Sequence, residues 1–253
     1  MFDTHVHLND PSLYQDLDKH IKEAKENGVN KMMVIGYDIE SSKLAVEIAS
    51  KYDFVYAAIG VHPSEFKDLS INYVKEIESL INERVVCIGE IGLDYHWSDD
   101  KDTQKHYFIE FIKLAYKYNL PICIHCRDAL NDTLEIIKEN QKIITKGIMH
   151  CYAGSKEMVK EFIDNKMYLS FGGVLTFKNG RRMQESLLVT PKDKILIETD
   201  CPYLTPEPFR GKQNSPKYVE LVVNKIAELL NMSKEDVIKL TTANAKRVLN
   251  LDE

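Results

Sequence analysis

Apolar residues in this chain come in short, nearly unbroken runs separated by longer amphipathic stretches. The runs are Phe2 to Leu8, Lys31 to Gly36, Phe54 to Gly60, Val85 to Gly92, Pro121 to His125, Gly147 to His150, Met167 to Gly172 and Lys194 to Asp200. Runs this short and this apolar suit strands covered on both faces, as in a parallel sheet. Helical patterns lie between them. In one, Tyr107, Phe108, Phe111, Ile112, Ala115 and Tyr118 recur at helical spacing, with Lys105, Glu110, Lys113 and Lys117 on other faces. Asn27-Gly28 reads as a helix C-terminus, and Ser155 and Ser233 as N-caps followed by acidic residues. Val219 to Leu230 and Asp236 to Leu249 predict the closing helices. Eight strands alternating with helices in 253 residues predict a single α/β domain over residues 1–253, a (β/α)8 TIM barrel with its site at the C-terminal ends of the strands. The alternative, an open doubly wound sheet, usually carries a glycine-rich phosphate turn after its first strand. Here the first strand ends in His5-Val6-His7, which favours the barrel.

The ends of these runs hold the candidate chemistry. His5 and His7 are two apart, so in a strand they share a face, roughly 6–7 Å apart. A lone His-x-His pair says little. The pattern repeats, however: Glu90, His125, His150 and Asp200 sit at the ends of four further runs that are otherwise apolar. Several independently buried polar residues would each need their own hydrogen-bond partners. A shared metal site accounts for all of them at once. Four imidazoles and two carboxylates are too many for one tetrahedral ion. They suit two divalent cations, with Glu90 the natural bridge because a carboxylate has two oxygens to share. The donor set favours Zn²⁺, Mn²⁺, Fe²⁺ or Co²⁺ over Ca²⁺, and Mg²⁺ fits if it keeps several waters.

Five segments carry a family resemblance. Asp3-Thr4-His5-Val6-His7-Leu8, Gly60-Val61-His62-Pro63, Gly89-Glu90-Ile91-Gly92-Leu93-Asp94-Tyr95, His125-Cys126-Arg127 and Glu198-Thr199-Asp200-Cys201-Pro202-Tyr203-Leu204 resemble, in order, the signature blocks of TatD-family metal-dependent hydrolases. The resemblance runs past Arg210 and departs at none of the six ligand positions. It implies an amidohydrolase-like metal barrel with divalent-dependent deoxyribonuclease activity, often 3′-to-5′ exonucleolytic or directed at abasic sites. It also implies one metal on His5, His7, Glu90 and Asp200 and the other on Glu90, His125 and His150. In that scheme the metals acidify a water for attack on a phosphodiester of DNA, and Asp200 takes the proton as catalytic base. The competing expectation is a small-molecule amidohydrolase or esterase on the same barrel. Many such barrels bridge their metals with a carbamylated lysine on the fourth strand, where this chain has Glu90.

Other residues have two readings each. His62 is a loop histidine or a contact to substrate phosphate, and the surrounding site favours the contact. Arg127 and Arg210 are solvated charges or substrate-binding phosphate forks. Lys178, Arg181 and Arg182 form either a basic rim or an ordinary helix surface. Tyr95, His96 and Trp97 either offer a stacking platform for a base or pack their loop down. Glu198 shares its strand face with Asp200 and should sit one layer deeper, behind the ligands. Cys126, Cys151 and Cys201 each follow a candidate ligand, so strand alternation should turn them outward to pack as small hydrophobes. Cys123 and Cys126 form C-x-x-C, but in a strand rather than at the helix N-terminus a redox pair wants.

Composition adds limits. A hydrophobic fraction of 44%, a charged fraction of 28% and a net charge of −6 describe an ordinary globular protein and argue against a broad basic nucleic-acid-binding face. Five cysteines without scaffold spacing, no apolar run long enough to span a membrane and no signal-like start predict a reduced, cytoplasmic protein. Nothing calls for a protein partner or for more than a monomer.

Overall fold

The computed structural model describes residues 1–66 and 69–251. Among these, eight parallel strands pair in chain order: β1 (Phe2–Val6), β2 (Lys31–Ile35), β3 (Val55–Ile59), β4 (Val85–Asp94), β5 (Ile122–Arg127), β6 (Gly147–Met149), β7 (Met167–Phe171) and β8 (Ile195–Ile197). Ten α-helices accompany them: α1 (Pro11–Tyr14), α2 (Leu17–Glu26), α3 (Ile39–Lys51), α4 (Tyr73–Glu78), α5 (Lys101–Lys117), α6 (Leu130–Glu139), α7 (Lys156–Asp164), α8 (Arg181–Val189), α9 (Val219–Leu230) and α10 (Lys234–Val248). The expected (β/α)8 barrel is the observed fold. It closes through Asp200 N–H donating to His5 O and His7 N–H donating to Cys201 O, both at 2.9 Å, around a Val6–Cys201 bridge.

Two apolar clusters follow from strand alternation. The larger packs the outward strand residues Val34, Ile88, Ile124 and Ile197 against helix residues such as Phe108, Phe111, Phe162 and Val222. The smaller runs inside, through Phe2, Met33, Ile35, Ala58, Cys123, Ile148, Tyr168 and Leu196. Ala245, Val248 and Leu249, in and just after α10, belong to this inner cluster, so the last helix plugs the N-terminal end of the barrel. The opposite end stays open for polar groups. Among the described residues no helix is long and apolar enough to cross a membrane.

Local signals fall where the sequence put them, with adjustments at the ends. Gly28 takes a φ of +79° after α2, and Ser233 accepts from Asp236 N–H at the start of α10. Ser155 holds the N-cap position of α7 but makes no capping hydrogen bond. β1, β6 and β8 stop short of His7, His150 and Asp200, because the ladder there gives way to loops. β4 and β5 run longer than expected, pairing out to Asp94 and Arg127.

The seam between β8 and β1 depends on a buried side chain. Asp3 Oδ1 accepts from Thr199 N–H at 2.9 Å, and its Oδ2 lies 2.7 Å from Thr199 Oγ1, one residue before Asp200. Removing the carboxyl leaves Thr199 N–H without this acceptor and leaves Thr199 Oγ1 only the long contact from Cys201 N–H. Asp3→Ala should therefore lower unfolding free energy by about 2–3 kcal/mol. A urea midpoint unchanged from the parent chain would show that the seam does not need it.

Candidate metal centre

Strict alternation in β1 would not aim His5 and His7 at the barrel axis; a bulge does, and β4 is irregular near Glu90 as well. Between Asp3 and Val6, β1 advances three residues while β2 advances two, from Met32 to Val34. Phe2 belongs to the inner cluster, and the extra residue lets His5 face inward as well. β4 does the same between Ile88 and Ile91 against Ile122 and Ile124 of β5. Cys87 points inside below the irregularity, and Glu90 points inside above it. A bulge re-aims side chains in this way and is common beside active sites. The close fit continues at Gly92, with a φ of +138°, where an added Cβ would lie 2.1 Å from His125 O.

The six residues converge as expected. Glu90 Oε2 lies 3.4 Å from His5 Nε2 and 3.8 Å from His7 Nε2. Asp200 Oδ1 lies 3.7 and 3.4 Å from the same two nitrogens, which are 3.2 Å apart. The other carboxylate oxygen, Glu90 Oε1, lies 2.9 Å from His125 Nδ1 and 3.7 Å from His150 Nε2. Glu90 thus turns one oxygen to each of two donor groups. Metal–ligand bonds of about 2.0–2.2 Å in tetrahedral geometry put ligand atoms about 3.3–3.6 Å apart, and the first group's separations of 3.2 to 3.8 Å bracket that spacing.

The charges around the centre are unbalanced in favour of cations. Burial works against ionised Glu90, yet His150, His5 and the His125 hydrogen bond hold its carboxyl well below the usual range. Burial likewise opposes charge on His150, but Glu198, Asp200 and Glu90 push it up to about 10. His7 and His125 are also raised against the burial penalty, by hydrogen bonds to Asp200 and to Asp94 and Glu90. Buried carboxylates here draw protons onto imidazoles, the demand that divalent cations would meet. Two buried atoms, His150 Nδ1 and Glu198 Oε2, have no aligned hydrogen-bond partner. The donor set and its spacing therefore fit a pair of divalent cations.

Groups behind the candidate ligands orient them. His7 Nδ1 lies 3.1 Å from Ile35 O, and because a carbonyl only accepts, Nδ1 donates there while Nε2 faces Asp200 and Glu90. His125 Nε2 lies 2.9 Å from Asp94 Oδ2. Asp94 Oδ1 is itself fixed by the N–H groups of His96 and Trp97. Glu198 sits behind the ligands as expected, its Oε1 3.0 Å from His150 Nδ1 and accepting from Cys151 N–H at 2.8 Å. Sequence reasoning assigned Asp94 no role. The available signal was its position four residues beyond Glu90, on the same face of β4.

These residues open into a cavity of about 730 Å³ that also includes His62, Arg127, Trp97, Tyr37, Glu65 and Tyr203. Sequence reasoning gave Tyr37, Glu65 and Tyr203 no role either, although Tyr37 closely follows the end of β2 and Tyr203 stands in the fifth of the segments that carry the family resemblance. His62 Nδ1 accepts from Ser64 N–H at 3.1 Å, so its proton is on Nε2, which faces Glu90 Oε1 at 3.8 Å. Burial lowers this histidine to about 4, leaving a neutral N–H donor in the cavity. Arg210 lies outside the lining, with its guanidinium 4.1 Å from the Phe177 ring centre. Tyr95 packs down, its hydroxyl 2.7 Å from Asp132, whereas Trp97 stays exposed at the rim.

Cys201 is buried as expected. Cys126 also turns outward as expected, its Sγ 3.3 Å from Thr133 Oγ1 of α6, while it and Cys151 are half-buried and border the cavity. Cys151 does so because β6 has already ended and its φ of +44° breaks the alternation. Every cysteine among the described residues is free, and Cys123 Sγ lies 3.6 Å from His5 Nδ1.

Comparisons agree with this geometry. A family profile described as TatD related DNase matches residues 2–250. The uncharacterized metal-dependent hydrolase YabD of Bacillus subtilis is 46% identical, with both chains covered completely. The uncharacterized metal-dependent hydrolase YcfH of Escherichia coli K12 is 32% identical over 100% of this chain and 96% of its own. The crystal structure of YjjV, a TatD homologue from Escherichia coli K12, superposes with a TM-score of 0.94 at 25% identity, covering 100% of this chain and 98% of that one.

Two substitutions test the centre. His125→Ala should lower bound metal, read by elemental analysis, from two ions per chain towards one; unchanged stoichiometry would remove His125 from the ligands. Asp94→Asn keeps the shape but loses the carboxylate behind His125, and should weaken metal binding about 10–100-fold. Parental affinity in a competition titration with a chelator would leave Asp94 without this role.

Proposed function

The chain belongs to the family of TatD-related DNases and is a metal-dependent hydrolase, and from that premise we propose that it cleaves phosphodiester bonds of DNA with two divalent cations. The observation that supports this most is Glu90, whose two oxygens face two separate donor groups at one cavity floor. His5, His7, Glu90 and Asp200 would hold one ion, and Glu90, His125 and His150 the other. Zn²⁺, Mn²⁺ and Mg²⁺ are the candidate cations. When bound, the ions supply Lewis acidity that lowers the pKa of water and offsets negative charge on the phosphate.

The chain's own residues divide the remaining work. Asp200 takes the proton released by the attacking water. His62 offers a neutral Nε2–H to a phosphate oxygen, a role its tautomer favours and its low pKa preserves. Arg127, exposed at the rim, supplies the fork for a second oxygen. The barrel walls orient the ester against these groups. Both donors suit an anionic ester better than a neutral amide.

One set of incubations separates the readings. End-labelled single- and double-stranded DNA, a chromogenic phosphodiester and amide substrates are each offered with Mg²⁺, Mn²⁺, Zn²⁺ or EDTA. Metal-dependent, EDTA-sensitive cleavage of DNA is the expected outcome. DNA left intact with every metal, alongside EDTA-sensitive amide cleavage, would overturn the proposal. Asp200→Asn should lose roughly 10²–10⁴-fold in kcat. Near-parental turnover at full metal loading would take the base away from Asp200.

A further inference from the structure

A second cavity adjoins the metal cavity. It holds about 590 Å³ and shares Cys126, Arg127 and Ala153 with its neighbour, so Arg127 stands on the wall between them. Tyr95, Met158 and Leu130 give it apolar surface, while Lys101, Arg127 and Arg182 bring cations from three different segments of the chain.

The state of those cations is informative. Just outside, Lys105 is paired with Asp132 at 2.6 Å, and Arg181 and Lys156 with Glu185 at 2.8 and 3.6 Å. Inside, no carboxylate among the described residues lies within ion-pair distance of Lys101, Arg127 or Arg182. Lys101 and Arg127 rest instead against aromatic faces, 4.4 Å from the Tyr95 ring centre and 5.5 Å from that of Trp97. Two carboxylates line the same cavity. Asp132 is committed to Lys105 and to the Tyr95 hydroxyl, and Asp128 lies 3.5 Å from His96 Nδ1. In a chain with a net charge of −6, three uncommitted cations around one hollow are a local reversal of sign.

We propose that this cavity is a second anion subsite, which takes a further phosphate and nucleoside of a polynucleotide whose scissile phosphate lies over the metal centre. The proposal rests on the phosphodiesterase reading above. It adds that the enzyme selects for length. A single phosphodiester fills the metal cavity alone, whereas an oligonucleotide crosses Arg127 and gains Lys101, Arg182 and the apolar wall. The volume is within the range that holds a small ligand.

The test uses metal-loaded protein and the Lys101→Ala/Arg182→Ala double variant. Binding is read by fluorescence anisotropy with a labelled single-stranded oligodeoxynucleotide whose phosphorothioate backbone resists cleavage. Turnover is read with a chromogenic phosphodiester. The variant should bind the oligonucleotide about 10-fold more weakly, and the slope of log affinity against log salt should flatten by about 0.7 for each phosphate that is no longer neutralised. Its rate on the chromogenic ester should match the parent. Unchanged oligonucleotide binding overturns the subsite. A parallel loss on both substrates overturns it too, because it would mean that these residues support the metal centre. If the parent cleaves no phosphodiester with any metal but the variant still binds the oligonucleotide more weakly, the subsite stands and the nuclease reading fails.

Discussion

A carboxylate taken out of water has to be met by positive charge, and the open end of this barrel is arranged around that requirement at Glu90. Its side chain is almost fully buried, yet it stays ionised because imidazoles from β1, β5 and the end of β6 surround it. Those imidazoles are in turn held by Asp94, Glu198 and the carbonyl of Ile35. Weakening any member of this network leaves another buried polar group unbalanced, which is why such clusters act as a unit. The same shortage of positive charge makes the centre suited to divalent cations.

The barrel meets this requirement by local departures from regularity. Plain strands would keep one face of each strand inward along its whole length. The irregular steps in β1 and β4 allow an apolar inner layer below and a polar layer above within the same strands. Glycine makes the crowding tolerable at Gly92, where no side chain would fit against His125 O. At the far end α10 seals the apolar layer, so the part of the interior that opens into the large cavity is the polar layer.

Charge is distributed with the same economy. Lys105, Lys156 and Arg181, beside the second cavity, are each paired with a carboxylate. Lys101, Arg127 and Arg182, which have no such partner among the described residues, lie along a path from the metal cavity over Arg127 into its neighbour. The proposed polynucleotide substrate would follow that path, contacting the metals with one phosphate and the cationic hollow with the next. An overall negative charge therefore does not conflict with an anionic substrate, because the field that matters is local.

The barrel and its candidate ligands were legible in the chain before folding. Eight apolar runs could be buried only as parallel strands, and ligand-type residues at the ends of five of them stood out against their apolar context. Both signals are local, so they survive without knowledge of the tertiary structure. Asp94 escaped because its role depends on facing His125 across the β4–β5 pair, a relation that periodicity does not encode. Cys126 packs outward against α6 as expected, but Cys151 borders the cavity because strand geometry has already given way to a loop there. Arg210 and Arg127 looked alike in the sequence, and only the folded chain put one over Phe177 and the other between two cavities. Strand register decided the rest: one extra residue in β1 reverses which face points inward, β4 shifts register against both of its neighbours, and only the pairing of whole strands reveals a bulge.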